Sequence, residues 1–368
     1  MATRNSFKTT MEKPGQNKLA LSFSYRVLDD DDIDLLTYGS SKYAFVTDGD
    51  TLVIYDPDKD LYADCFQPKN LYWTTLTITS VVADKDDFFV GMSDGRVFSC
   101  SKTSSGYEYN RYIGTIPGAF VDDEKANQKP ETLLGVNENW LVYQSTCPRL
   151  VFRSRESQLN SKPTFSRSFT GKIIAHAFCS DTSVLRVVVR EDKRRYKLYK
   201  IDPNKERNKQ VFKLQVKNDS DTLLAVSDKG DMAFAALNGL HIYRPETGDN
   251  SPGFTHLDPL TSSLQASRYG DACFAAYHGS EYFILCIGGA IGIAKKHPEK
   301  WESVCYCSNR AQQRSAEFEI SEAKYPYSED PKMDDQGRLV LRLVNDPNSN
   351  DKEQRILFSS SFMTDNDL

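Results

Sequence analysis

The sequence has no long apolar run. None of its hydrophobic stretches reaches the roughly 18 residues that a membrane-spanning helix needs. The first twenty residues are polar and contain no apolar segment typical of a signal peptide. We therefore expect no transmembrane segment and a location in the cytoplasm, the nucleus or both. A net charge of -5 over 368 residues gives the whole molecule no strong attraction for nucleic acid or membranes.

Clustered metal or disulfide ligands are also missing. The eight cysteines are spread through apolar stretches without a CxxC pair, and only Cys305 and Cys307 lie close together. Disulfide frameworks and zinc sites need clustered spacing, so we expect buried free thiols. The acidic runs Asp29–Asp34 and Asp56–Asp60 lack the glycine and the distal glutamate of a calcium loop. We expect no metal and no other cofactor.

Catalytic motifs are absent as well. The sequence has no HExxH, no Gly-x-Ser-x-Gly and no phosphate-binding Walker loop, and its five histidines lie far apart. His176 lies in an apolar run and is expected in the core, whereas His241 alternates with apolar residues and is expected at the surface. We expect no enzyme. A hydrolase with a site assembled at a central channel stays open as an alternative, because such sites draw on several repeats.

Short apolar runs separated by turn residues fill the chain instead. The stretch 221–246 contains three of them, Thr222–Val226, Met232–Leu237 and Leu240–Tyr243. The last two flank Asn238-Gly239, and both of these residues tolerate the positive φ that tight hairpin turns require. The stretch therefore predicts three consecutive antiparallel strands.

The same hairpin recurs along the chain. Its turns are predicted at Asp48, Asp94, Thr146, Asp192, Asn238, Gly279 and Asn348. Most successive turns are about 45 residues apart, a period typical of the four-stranded blades of a β-propeller. We therefore predict an all-β fold, a seven-bladed β-propeller of four-stranded antiparallel blades.

Domain boundaries follow from the same pattern. Residues 1–17 are polar and are expected to form a disordered tail, residues 18–361 a single propeller domain, and residues 362–368 a C-terminal tail. The alternating stretch Leu19–Val27 is predicted to pair with Gln354–Ser360 in the last blade. This pairing would close the ring and remove exposed sheet edges.

A family resemblance rests on the turn Ser93–Phe98 and on the strand endings Ile54-Tyr-Asp-Pro57, Ile201-Asp-Pro203 and Ile242-Tyr-Arg-Pro245. Through them the chain resembles the WD40-like and kelch-like propellers over nearly its whole length. It departs from the WD40 signature, because no strand ends in Trp-Asp and no blade opens with Gly-His, so no subfamily is assigned. The resemblance implies an interaction platform.

Positive charge is concentrated in one part of the chain. Residues 149–217 contain 18 Lys and Arg against six Asp and Glu, so this segment carries +12 and the rest of the chain -17. Its most basic hairpin surrounds Arg194, and we predict that partners contact Arg186, Arg190, Lys193, Arg194, Arg195 and Lys197. Arg186 and Arg190 share a strand face by period-two counting. The loop Tyr325–Pro331, with Tyr325 and Tyr327, is a second predicted contact surface.

These features predict a non-catalytic protein-interaction scaffold, a subunit or adaptor of an intracellular multiprotein complex. Its partners would be other proteins that offer an acidic surface or peptide. An RNA-binding or phosphoinositide-binding propeller that uses the basic face is the main alternative, because phosphates also bind clustered Arg and Lys.

Overall fold

A computed structural model describes 21 segments of the chain. They are residues 4–12, 18–27, 33–56, 61–66, 77–93, 95–115, 132–145, 148–155, 165–179, 181–205, 207–216, 221–236, 239–245, 253–256, 273–278, 281–287, 290–296, 301–307, 327–333, 339–344 and 354–359. Apart from a single-turn 3-10 helix at Pro203–Lys205, every regular element in these segments is a β-strand. No helix in them is long and apolar enough to cross a membrane.

Two N-terminal strands precede a series of separate four-stranded antiparallel sheets. The N-terminal strands are β1 (Arg4–Glu12) and β2 (Lys18–Val27). The first blade contains β3 (Ile33–Tyr38), β4 (Tyr43–Thr47), β5 (Thr51–Asp56) and β6 (Leu61–Phe66). The second contains β7 (Ile78–Asp84), β8 (Asp87–Met92), β9 (Arg96–Thr103) and β10 (Gly106–Thr115).

Three more blades repeat this order. The third contains β11 (Thr132–Val136), β12 (Trp140–Ser145), β13 (Arg149–Ser154) and β14 (Phe165–Ser168). The fourth contains β15 (Lys172–Cys179), β16 (Val184–Arg190), β17 (Arg195–Asp202) and β18 (Arg207–Gln215). The fifth contains β19 (Thr222–Val226), β20 (Met232–Ala236), β21 (Gly239–Arg244) and β22 (Gly253–His256).

The other strands form one nine-stranded sheet. They are β23 (Cys273–His278), β24 (Tyr282–Ile287), β25 (Ala290–Lys296), β26 (Trp301–Cys307), β27 (Tyr327–Met333), β28 (Leu339–Val344) and β29 (Gln354–Ser359), together with β1 and β2. Their order is β23-β24-β25-β26-β1-β2-β29-β28-β27. The described residues thus form five separate four-stranded blades, and the predicted count of seven is wrong. The reason is β1, which pairs with β2 along its length and with β26 at Glu12, and so joins two groups of strands into one sheet.

The predicted partner of the N-terminal strand is confirmed. β2 pairs antiparallel with β29 from Phe23 opposite Ser359 to Val27 opposite Arg355. The preceding segment differs from expectation, because Arg4–Glu12 forms a strand within the residues expected to be disordered. Its two threonines and Phe7, which pairs opposite Phe23, suit a strand.

Most predicted hairpins occupy the same place in their blades, joining the second strand to the third. The pair around Asp48 is one example, with positive φ at Asp48 and Gly49 in the turn between β4 and β5. The pair predicted around Gly279 is a hairpin too, but β23 and β24 are the first two strands of their group. The sequence does not separate the two positions, because the first and second strands of a blade are both short apolar runs.

Both faces of each blade are buried against neighbouring blades. In β8, Phe88 and Val90 pack against the first blade, whereas Phe89 between them packs against the third. In β16, Val187 packs against the third blade and Val188 against the fifth. Each buried Val or Phe stabilises the fold by about 1.5–3 kcal/mol relative to an exposed one. Two-sided burial explains why these strands are nearly continuous apolar runs.

Polar contacts join the turns between the first and second strands of adjacent blades. Asp86 in the second blade accepts hydrogen bonds at Oδ1 from the amides of Ser41 (2.7 Å) and Lys42 (3.1 Å), and at Oδ2 from Ser41 Oγ (2.7 Å). Asn137 Nδ2 donates to Ser183 Oγ at 2.7 Å between the third and fourth blades. One carboxylate or amide per contact therefore fixes the spacing of two blades.

Replacing Asp86 with Ala is expected to lower the free energy of unfolding by about 2–3 kcal/mol, because three partly buried donors lose their acceptor. Chemical denaturation followed by tryptophan fluorescence measures this change. Glu138→Ala is the matched control, since Glu138 is an exposed acid in the corresponding turn of the third blade. Equal stability of the two variants would contradict the role of Asp86.

Candidate interaction surface

The most basic hairpin of the chain connects β16 to β17 at the rim of the fourth blade. The strands pair from Leu185 opposite Ile201 to Arg190 opposite Tyr196, and the chain reverses over residues 191–194. The Glu191 amide donates to the Arg195 carbonyl at 2.9 Å and closes the turn. A further bond, from the Val216 amide to the Arg194 carbonyl (3.0 Å), ties the turn to the end of β18. The backbone of the turn is thus held on both sides.

Asp192 lies inside this turn and organises it. Its Oδ1 accepts from the amides of Arg194 (2.9 Å) and Arg195 (2.8 Å), and its Oδ2 accepts from Arg195 Nε (2.5 Å). The hydrogen bond from the Arg194 amide is the main interaction that holds the pKa of Asp192 below its usual value, and the hydrogen bonds from Arg195 lower it further. Asp192 therefore stays ionised and offsets part of the positive charge around it.

A second ion pair lies on the adjacent strand. Lys197 Nζ donates to Glu191 Oε1, and Thr170 Oγ1 donates to the same oxygen at 3.4 Å. The hydrogen bond between these two side chains lowers the pKa of Glu191 and raises the pKa of Lys197. Lys197 and Arg195 thus already have acidic partners within the hairpin.

The remaining cations of the hairpin face solvent. Arg190, Lys193 and Arg194 are exposed, and so is Arg195 despite its contact with Asp192. We define the basic turn as Arg190, Lys193, Arg194 and Arg195. A shallow depression of about 540 Å³ lies there, bordered by residues 192–195 and Gln215. Four of the six cations predicted to contact partners are thus together at one rim.

Like charges lie opposite each other around the basic turn. Arg190 pairs across the strands with Lys172, and Lys197 pairs with Lys213. Like charges in directly opposed positions destabilise a sheet by about 0.2–1 kcal/mol. Lys172 and Lys213 are exposed, and the sequence analysis missed them because only the strand register brings them to the hairpin. An acidic partner would relieve this repulsion.

Arg186 lies apart from the basic turn. It shares a face of β16 with Arg190, as expected, but only 4% of its surface is exposed. Its Nε donates to the Asp228 carbonyl of the fifth blade at 3.2 Å. Arg186 therefore links two blades and is not at the surface that a partner would contact.

The second predicted surface is only partly described. Tyr325 lies outside the described residues, and Tyr327 is the first residue of β27, so the described part of the predicted loop Tyr325–Pro331 is a strand. Pro331 falls at a β-bulge between Glu329 and Lys332. A bulge tolerates proline because its amide is not needed in the ladder.

A central cavity is the other candidate site. Every first strand of the five blades carries a β-bulge, for example between Leu133 and Gly135 in β11. These strands line a cavity of about 900 Å³, with Thr79, Thr132, His176, Ser227 and Tyr277 among the lining residues. Within the segments that the structure describes, no three His, Cys, Asp or Glu side chains form a cluster that could hold a metal ion.

Both predictions about histidines are wrong. His176 is exposed at the cavity because β15 is an innermost strand, with one face toward the axis. His241 is 7% exposed, since its strand is covered on both faces and alternation does not lead to solvent.

Comparison with known proteins gives matches of structure only. No family model matches the chain, and no curated protein matches it by sequence. The WD40 domain of Toxoplasma gondii coronin is 12% identical over 97% of this chain and 90% of that one, with a TM-score of 0.55. A chain of a mitotic checkpoint complex is 13% identical over 92% and 95%, with a TM-score of 0.55. The β-propeller domain of Cps50 (Swd1) from Myceliophteria thermophila is 10% identical over 91% and 98%, with a TM-score of 0.53.

The architecture and these matches define the fold class of the chain as a β-propeller. Its fold is similar to that of WD40 domains, which confirms the resemblance inferred from the strand endings.

Alkaline pH is expected to destabilise the protein. Burial raises the pKa of Tyr107, Tyr196, Tyr243 and Tyr277. Because the folded state then holds these protons more tightly than the unfolded state, their contribution to stability is complete below about pH 10, the ordinary tyrosine pKa, and is lost as the pH rises above it. Denaturant unfolding at a series of pH values from 8 to 12 measures the decline.

Tyr277→Phe should flatten this decline. Among the described residues Tyr277 Oη has no hydrogen-bond partner, so the variant should unfold at nearly the same denaturant concentration at pH 7. An equally steep alkaline decline in the variant would contradict the role given to Tyr277.

Proposed function

We propose that this propeller is a non-catalytic platform for protein assembly, a subunit or adaptor of a multiprotein complex in the cytoplasm or nucleus. The basic turn is its docking surface, and the partner offers an acidic surface or peptide. The observation that carries this proposal is the rigid basic turn, in which Asp192 and the backbone bonds position four exposed cations in advance.

Rigid presentation is the mechanism. A loop that is already ordered loses little conformational freedom when a partner binds, so less of the contact energy is spent on ordering it. The solved structures with a similar fold include a chain of a mitotic checkpoint complex, which is consistent with a role in assembly.

A protein partner fits the charge distribution better than a phosphate does. Two carboxylates, Glu191 and Asp192, lie among the cations of the hairpin. A compact phosphate in the depression would approach Asp192, whereas a protein surface can match cations and anions together. The residues that line the cavity include His176, Asp181 and Asp228, but in the described part of the chain no three His, Cys, Asp or Glu side chains lie together as a cluster that could hold a metal ion. The geometry therefore favours the rim over the cavity.

The test compares partners captured from a lysate by the unchanged chain and by a variant with Lys193, Arg194 and Arg195 changed to Glu. Loss of one defined set of proteins is expected, because the variant repels an acidic surface. The control changes Lys102, Arg167 and Lys229 to Glu, which reverses three exposed charges in other blades. The control should retain the set.

Two further arms separate the alternatives. If nuclease treatment removes from the unchanged chain the same proteins that the basic-turn variant loses, the result would indicate RNA binding. Sedimentation with phosphatidylcholine vesicles containing a phosphatidylinositol phosphate, lost in the basic-turn variant, would indicate phosphoinositide binding. Unchanged partners in all arms would make the basic turn a solvated edge.

A further inference from the structure

The outermost strand of the fourth blade differs from its counterparts. β18 is nine residues long and contains three cations, Arg207, Lys209 and Lys213, with no acid. The fourth strands of the other separate blades contain no more than one Lys or Arg each: none in Leu61–Phe66 and Gly253–His256, and one each in Gly106–Thr115 and Phe165–Ser168. Basic charge on this edge is therefore specific to one blade and is not a property of the repeat.

β18 also ends its sheet. Within the described part of the chain it pairs only with β17, so its outer edge presents backbone amide and carbonyl groups without a strand partner. A strand edge of this kind can accept a further strand. At nine residues it is more than twice as long as the four-residue outer strands of the third and fifth blades.

The register concentrates positive charge behind this edge. Lys213 lies opposite Lys197, and Lys209 lies opposite Lys200. A β-bulge at Val211 separates these two register positions, and Lys197 and Lys200 lie on different faces of β17 because they are three residues apart. An acidic strand added to the edge would alternate its side chains between the same two faces.

The edge and the basic turn are continuous. Gln215, the last residue of β18, borders the depression at the turn, and Val216 donates to the Arg194 carbonyl. A segment lying along β18 would therefore reach Lys193 and Arg194 at its end.

We propose that the partner binds as an extended acidic peptide segment that adds a fifth strand to the fourth blade along β18 and ends at the basic turn. This inference rests on the proposed function and specifies its partner and binding mode. Edge amides and carbonyls hydrogen-bond the peptide backbone, and the cations of β17 and β18 select Asp and Glu side chains. RNA cannot use such an edge in this way, because its backbone lacks alternating amide donors and carbonyl acceptors.

The probe is a fluorescein-labelled twelve-residue peptide of alternating Glu and Thr. Fluorescence anisotropy should show saturable binding to the full chain at about 0.1 M salt. A matched peptide with N-methyl groups on alternate residues keeps every charge but loses strand hydrogen bonds, and its affinity should fall at least tenfold. Equal binding of the two peptides would overturn strand addition. An absence of binding would overturn it too, and would mean that the edge cations only prevent the sheet edge from associating with other strands.

Charge variants test the selection of acids. Lys200→Glu together with Lys213→Glu should weaken the unmodified peptide at least tenfold. The control, Lys102→Glu with Lys229→Glu, makes the same charge change in other blades and should leave affinity within twofold. A labelled uridine dodecamer that binds more tightly than the peptide would replace the peptide with RNA as the occupant.

Hydrogen exchange locates the bound segment. The peptide should slow amide exchange in residues 207–215 and leave 106–115, the other long outer strand, unchanged. Protection confined to the basic turn would overturn docking along β18. If the peptide fails in every assay while the basic-turn variant still loses its lysate partners, the binding mode fails and the proposed function stands. If the peptide fails in every assay and the basic-turn variant also keeps its lysate partners, both the binding mode and the proposed function are rejected.

Discussion

The structure depends on burial of both faces of each blade. A strand such as β8 sends Phe88 and Val90 into one interface and Phe89 into the next, so both of its faces are buried. A single four-stranded sheet without its neighbours would expose both of these apolar faces to water. Each blade therefore requires its neighbours, and the contacts of Asp86 and Asn137 between turns fix how closely they approach.

Two-sided burial also determines where charge can lie. In the fourth blade, apolar contacts occupy the second strand, β16, except at Arg186, which links two blades. The exposed cations lie at the turn and at the ends of strands, as Arg190, Lys193 and Arg194 do, and on the third and fourth strands, as Lys200 and Lys213 do. Asp192 and Glu191 prevent the basic turn from being uniformly positive and give it a defined shape.

Much of this architecture was predictable from local chemistry. Asn238-Gly239 and the apolar runs around it identify β19, β20 and β21. Neighbours distant in sequence caused the errors. Two-sided burial makes every strand of a blade look alike, which hid the different position of β23 and β24, and it placed His241 in the core. The joining of two groups of strands by β1 depends on pairing between Glu12 and Tyr306, for which the sequence has no local signal.

The candidate surface was predictable in composition but not in arrangement. Clustering of Lys and Arg identified the hairpin, and period-two counting placed Arg186 and Arg190 on one face. Period-two counting gives no information on burial, so it could not distinguish Arg186, which is buried and bonded to Asp228, from an exposed cation. Lys172 and Lys213 join the surface only through strand register.

The pairing of β2 with β29 has a consequence for synthesis of the chain. Phe23 lies opposite Ser359, so β2 can pair with β29 only after the residues between the two strands have been synthesised. At about 5–20 residues per second this interval is tens of seconds. The five separate blades have all their strands in sequence order and can assemble during this time, whereas β2 must stay unpaired with β29 until β29 has been made. Premature termination anywhere before Gln354 would therefore leave β2 with an open edge, a feature by which cellular quality control could recognise the incomplete chain.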